Sequence, residues 1–349
     1  MKIDPIKLGK AAAAILVGLG EDPEDSLRAA ECLVYADMTG ISTHGTYLMK
    51  TVYERAKAGM LNLPTGARLV SDSAATAIVD GNNGLGPVAG TLAMDTAVKK
   101  ARDFGVGMVL VRNTNNVGCL GYYTKLAAKA GMVGLMACNA NASMAPWGGA
   151  QAYFGTNPIS LSVPVEKGHP VVLDMASSIV ARGKIRKASR EKARIPEGWA
   201  LNREGRPTTD PDEALGGTLL PIGGPKGSGL AMVVDLVAGM LSGASYGPSV
   251  RSFHSLDGPT GVGTAFLAMD PARFMDPSEY KGLVDAYIED MKGTRRAAGF
   301  SSIFSPGEIE AERWESSRVS GVELDDPAVS TLNGLLAQVG SNILLGGLD

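Results

Sequence analysis

Met108-Val-Leu-Val-Arg-Asn-Thr-Asn-Asn-Val-Gly-Cys-Leu-Gly-Tyr-Tyr123 is the stretch from which the fold class follows. An apolar run breaks into three asparagines and a glycine, then resumes with helical spacing, so it reads as strand, polar turn, helix. Such a turn places side chains and free N–H groups at the end of a buried strand, where open α/β folds bind ligands. Helix 119–130 then leads into strand Val133–Ala137, and this alternation predicts an α/β sheet.

Working outward, Ala67–Val70 and Ala74–Val79 are β-like, and a helix is expected over 88–104. Residues 6–20, 24–39 and 46–58 predict three helices before any strand. Downstream, a β run to Val165, Val171–Ala176 and Phe266–Asp270 read as further strands, Ser305–Glu308 as a turn, and 277–297 and 326–339 as helices. Late helices can rejoin the early ones. The expected organisation is a discontinuous helical lobe, 1–65 with 275–349, and an α/β region, 66–274.

At 349 residues the chain exceeds one typical domain, and 45% hydrophobic with 20% charged residues is a globular composition. A net charge of −3 gives no electrostatic case for nucleic acid or an anionic membrane, and no apolar run approaches the roughly 20 residues that cross a bilayer. Ala11–Gly20 imitates a signal peptide's apolar segment, but it is short, and Glu21-Asp-Pro-Glu-Asp25 reads as a helix stop and start. Cys32, Cys119 and Cys138 are odd in number and widely spaced, which suggests neither a disulfide framework nor a zinc site and fits the reducing cytoplasm. A small-molecule substrate is the expected partner.

Gly84-Leu-Gly86 with Gly90 imitates a dinucleotide fingerprint, but the spacing is wrong and no acidic residue follows at the proper distance, so a structural turn is expected. Pro221-Ile-Gly-Gly-Pro-Lys-Gly-Ser-Gly-Leu230 is a better anion site: a glycine-rich turn with Lys226 running into a helix N-terminus. The basic run from Arg182 to Arg194 is either a solvated helix face or one that meets phosphates. His169 reads as a hairpin-loop residue, and His254 is too isolated for a metal ligand. Cys119, at a helix start, reads as a small packed residue. No metal is expected.

Several motifs together resemble the type-2 malate/L-lactate dehydrogenases, a family that includes sulfolactate, ureidoglycolate and diketogulonate oxidoreductases and cyclic imino acid reductases. Ser42-Thr-His-Gly45 resembles its Ser-x-His-Gly, Gly155-Thr-Asn-Pro158 its Gly-Thr-Asn-Pro, and Val172-Leu-Asp-Met-Ala176 its Leu-Asp-Met-Ala. Pro221–Leu230 and Pro306-Gly-Glu308 resemble two further motifs, so the likeness runs nearly end to end. It implies a sulfolactate dehydrogenase-like fold, a mixed sheet flanked by helices rather than a standard Rossmann domain, with 66–274 binding the cofactor. It also implies NADPH or NADH as cofactor and a homodimer. By the same resemblance Val117, Gly118, Cys119, Asn139, Asp174, Met175, Ala176, Lys226, Gly227, Pro306, Gly307 and Glu308 contact the cofactor, His44 with the Asn116 position carries the chemistry, and Ser42, Leu48 and Val52 face the substrate.

The departures are as informative. Where the family has Ser-Asn-His-Phe-Gly this chain has Thr114-Asn-Asn-Val-Gly118, so the usual acid/base histidine is Asn116, which does not titrate. The usual carboxylate-binding arginine is Leu48, and a nearby tyrosine is Val52. Three readings follow: an oxidoreductase acting on an imine or a larger, less anionic carbonyl compound; a 2-keto acid/2-hydroxy acid dehydrogenase with His44 as acid/base; and a catalytically silent nucleotide-binding protein. The imine reading is favoured, and simple malate or lactate is not expected.

Overall fold

The structure is a computed structural model, and it describes residues 1–346. The chain opens with β1 (Lys2–Ile3), α1 (Pro5–Gly18), α2 (Pro23–Met38) and α3 (Met49–Lys57). Asp4 and Asp22 each accept two N–H groups of the following turn with proline at the first helical position, which fixes where α1 and α2 begin.

Next come β2 (Arg68–Asp72), β3 (Thr76–Asp80), α4 (Gly86–Phe104), β4 (Val106–Thr114), α5 (Leu120–Lys129), β5 (Val133–Cys138), β6 (Ile159–Val163) and β7 (Val171–Met175). A side unit then holds α6 (Arg182–Arg190), β8 (Ala200–Leu201), β9 (Pro207–Thr208), α7 (Pro211–Gly216) and β10 (Thr218–Leu219). The chain continues through α8 (Pro225–Val234), β11 (Val262–Met269), α9 (Pro277–Gly293), α10 (Glu308–Ser320), β12 (Val322–Glu323) and α11 (Asp326–Gln338).

The main sheet runs β2-β3-β4-β11-β5-β6-β7. Only β3 and β4 are parallel, joined by the α4 crossover; the other pairs are antiparallel, so the sheet is mixed. Ala89, Ala93, Ala97 and Ala101 form a small-residue stripe on α4. That stripe lets the helix sit close to β4, over a core that includes Val79, Val111, Met136 and Phe266. A second core gathers α1, α2, α3 and α11, and β1 pairs with β12, which ties the first residues to the segment just before α11.

Several expectations needed correction. No strand is expected between Ala176 and Phe266, yet β8, β9 and β10 form a small sheet over Ile185, Ile195, Ala200 and Leu219. These strands are two residues long, too short for alternation to show. The turn at Ser305–Glu308 leads directly into α10, and the helix expected over 277–297 ends at Gly293. The helix expected after the Pro221–Leu230 turn begins as α8 and widens into a π-helical turn over Asp235–Met240.

Candidate active site

Each asparagine of the Met108–Tyr123 turn has a distinct task. Asn113 adopts φ 52° and donates to Asp80 Oδ2 at 3.0 Å. Asn115, buried, donates to the carbonyls of Asn83 and Gly84 at 3.0 and 2.9 Å and accepts from Thr260 Oγ1 at 3.2 Å. Asn116 Oδ1 accepts the Gly118 N–H at 2.8 Å, closing a local turn. Gly86 explains the false fingerprint: a Cβ there would lie 2.1 Å from the Asn116 carbonyl oxygen, so the glycine lets α4 start against this turn.

His44 ends a short 3-10 turn, Ser42–His44, between α2 and α3. Its Nδ1 lies 3.1 Å from Thr43 Oγ1. The turn is anchored from α2, where Asp37 Oδ2 accepts from Thr46 N at 2.8 Å and Thr46 Oγ1 at 2.7 Å. Burial pulls the His44 imidazole below its usual range, while the carboxylate of Asp174 opposes that shift. His44 therefore favours the neutral form at neutral pH.

Asp174 lies near the end of β7 and reaches the start of α5. Its Oδ2 accepts the Gly121 N–H at 2.7 Å and the Cys119 thiol at 3.2 Å. Crowding by the surrounding elements pushes the Asp174 carboxyl up, opposed by these two donors and by His44. The Cys119 thiol is raised well above its usual value by burial and by Asp174, so it stays protonated.

Cys119, Gly121 and Asp174 face a cleft of about 140 Å³, lined also by Tyr35, Ile41, Lys125, His169, Pro306 and Gly307 among others, with His44 outside that lining. The Pro306 turn belongs here because its carbonyl accepts Val172 N–H at 3.0 Å, covering the free edge of β7. A second, smaller cavity of about 20 Å³ borders the Asn116–Gly118 turn. Leu48, Val52, Asn116 and Gly118 line it. Gly118 links it to the histidine loop: a Cβ on that glycine would lie 3.7 Å from the His44 carbonyl oxygen.

The remaining residues singled out from sequence divide in two. Ile222 N–H donates to the Ser177 carbonyl at 2.9 Å, and Gly227 packs so closely that a Cβ would lie 2.8 Å from that same oxygen. The Gly223–Gly227 turn is thus docked beside Asp174, Met175 and Ala176. No side chain caps α8, and Lys226 sits exposed in its first turn, a donor set suited to a dinucleotide phosphate. Asn139 and Glu308 are otherwise employed. The buried Asn139 amide binds Ser245 O at 2.7 Å, Asp235 Oδ1 at 3.2 Å and Gly263 N at 2.9 Å, while Glu308 accepts Ser305 N–H at 2.8 Å and pairs with Lys292. Ser42 is exposed and Val117 buried, its carbonyl taken by the Tyr123 hydroxyl.

Arg55, Asp37, Phe253, Tyr35 and Lys125 were missed by sequence reasoning. Arg55 and Asp37 are charged residues on helices, ordinarily a solvated face, yet both are buried. Among the described residues, no group of three or more His, Cys, Asp or Glu could hold a metal, and no helix is long and apolar enough to cross a membrane.

A mixed seven-stranded sheet flanked by helices, with polar turns at its strand ends, defines an α/β protein of non-Rossmann type. The chain belongs to the malate/L-lactate dehydrogenase family, which it matches over residues 3–333. It is 38% identical over 343 residues to L-sulfolactate dehydrogenase of Methanocaldococcus jannaschii, covering 98% of each chain, and matches the solved sulfolactate dehydrogenase of that organism with a TM-score of 0.93. It is 32% identical over 327 residues to the NAD(+) ureidoglycolate dehydrogenase of Escherichia coli K12, covering 93% of each. It also resembles Δ1-piperideine-2-carboxylate reductase of Pseudomonas syringae, at 27% identity and TM-score 0.87, covering 96% of this chain and 99% of that one. The protein is an oxidoreductase that uses NAD or NADP.

Proposed function

We propose that this oxidoreductase reduces the C=N or C=O carbon of a small to medium substrate other than simple malate or lactate, with a cyclic or open imine favoured. The observation that carries this reading is the wall formed by Leu48, Val52 and Asn116, which offers neither a cation for a second carboxylate nor a titrating group. A reduced nicotinamide, bound along Asp174–Ala176, Lys226–Gly227 and Pro306–Gly307, supplies the hydride. Reduction of a ketone also needs a proton for the developing alkoxide, and His44, held largely neutral by burial, supplies it poorly at neutral pH. An iminium arrives already protonated; its nitrogen keeps the electron pair of the broken π bond, and the chain need only orient it.

The test is loss of absorbance at 340 nm with NADH and NADPH against cyclic imines, oxaloacetate, pyruvate and bulkier ketones. The expected result is a kcat/KM for an imine or bulky ketone at least about tenfold above that for oxaloacetate and pyruvate. A preference for oxaloacetate returns the site to 2-hydroxy acid chemistry with His44 as the acid/base.

The homodimer is part of the same proposal. Met232, Val233, Leu236, Met240 and Leu241 stand exposed along α8 and the π-helical turn, and α9 buries none of its residues. Contiguous apolar surface of this kind favours a partner, and a second copy is the partner proposed. Cys32, Cys119 and Cys138 are all free, in keeping with a cytoplasmic location.

A further inference from the structure

We propose that the small cavity beneath Leu48 is a specificity subsite for a compact apolar substituent on the carbon being reduced, and that Arg55 is the positioning residue that builds it. This deepens the reading above and rests on it.

The cavity's apolar wall is made by Leu16, Leu48, Val52, Leu61, Leu85 and Phe253. Its volume, about 20 Å³, is close to that of one methyl or one water. A water there finds too few polar partners to be held, so the space suits carbon. The cavity is also not sealed within the helical lobe, because Asn116 and Gly118 of the strand-end turn form part of its lining. Asn116 spends its oxygen on Gly118, which leaves its amide nitrogen as a donor beside the apolar wall.

What closes the cavity is a loop, and what holds the loop is a buried cation. Arg55 is fully buried, and its four hydrogen-bond partners are all carbonyls: Phe253 at 3.4 Å, Met60 at 3.3 Å, Gly258 at 2.9 Å, and Ser255. The guanidinium also lies 5.4 Å from the Phe253 ring centroid. Val52 and Arg55 share one face of α3, and Leu48, at the N-cap of that helix, lies one turn before Val52. The stripe that supplies two walls of the cavity therefore pins the loop that supplies a third. Arginine suits this place because its planar fork of five donors spans four carbonyls around the guanidinium, whereas lysine has three donors on a single atom.

Two measurements test this. The first is calorimetric binding of unreactive acids, propanoate, butanoate and succinate, with NAD(+) or NADP(+) present. Butanoate is expected to bind at least about tenfold tighter than succinate, and Arg55→Lys to lose that preference while still binding succinate. The second is kcat/KM across 2-oxo acids and the corresponding imines of increasing chain length, where Leu48→Ala is expected to move the optimum one or two carbons longer. Val52→Ala gives the same reading should Leu48→Ala fail to fold. Equal binding of butanoate and succinate, absence of binding, or an unmoved optimum in a folded variant overturns the subsite. Absent turnover of 2-oxo acids, imines and bulkier ketones alike, with the binding order intact, overturns the reductase reading and leaves the subsite standing.

Discussion

The Gly121 N–H donates to Asp174 Oδ2 across 2.7 Å, so a carboxylate near the end of β7 caps the first turn of α5. Asp174 also raises the affinity of His44 for its proton. Asp174→Asn keeps an acceptor for Gly121 and removes the charge. The His44 pKa is therefore expected to fall further below its usual range, and the acid limb of the pH–rate profile to move down with it. Titration of the His44 ring by NMR measures this; an unchanged or raised pKa contradicts the pairing.

Gly45 has no room for a side chain, since a Cβ would lie 1.9 Å from Asp37 Oδ1 and 2.3 Å from its Cγ. Gly45→Ala must displace either Asp37 or the loop that carries His44. A loss of about 1–3 kcal/mol is expected, typical of overpacking at a rigid contact, together with a fall in kcat larger than any change in cofactor affinity. Urea denaturation with steady-state kinetics checks both parts.

Burial raises the Asp37 carboxyl from 3.8 to about 6, against the pull of two hydrogen bonds from Thr46. An acid with a raised folded pKa holds its proton more tightly in the native state. Its stabilising contribution is full below its unfolded pKa and is lost as pH rises through about 6. Relative to Asp37→Asn, which does not titrate, the wild-type protein is expected to lose roughly 2 kcal/mol between about pH 4 and pH 7. A difference that stays flat, or grows with pH, rules this out.

Asn116→His places a titrating ring in the turn but breaks the bond that Gly118 N–H donates to Asn116 Oδ1. With the substrate wall still formed by Leu48 and Val52, the variant is expected to gain little reduction of malate- or lactate-type keto acids, less than about tenfold, and to lose native turnover. Recovery of oxaloacetate reduction with native turnover intact would show that the substrate had not changed.

Met232→Glu with Leu236→Glu puts charge on the exposed face of α8 and the π-helical turn without touching the core. Sedimentation or light scattering is expected to show a monomer for this double variant and a dimer for the wild type. Equal mass for both assigns that face no part in assembly.

Much of this was legible in order of chain distance. Strands such as Val106–Thr114 and Val133–Cys138, and helices such as Pro23–Met38 with its Asp-Pro start, follow local rules of period and capping that need no distant partner. The motifs around His44, Asp174, Lys226 and Pro306 were visible for the same reason. Other features were hidden. The buried parts of Arg55 and Asp37 depend on groups up to 203 residues away in one case and on a loop nine residues on in the other. Nothing in the local pattern distinguishes these charges from solvated ones.

By itself the sequence determined the family, the mixed α/β class and the absence of a titrating side chain at position 116. Identity at a position is a chemical fact that no folding changes. Only the tertiary structure decided that Leu48, Val52, Asn116 and Phe253 share one cavity, that Asp174 caps α5 beside His44, and that Asn139 is spent on holding β11 and the π-helical turn. Cavities, caps and buried charges arise where segments distant in the chain meet, so the geometry of the Met108–Tyr123 turn became readable only once its neighbours were in place.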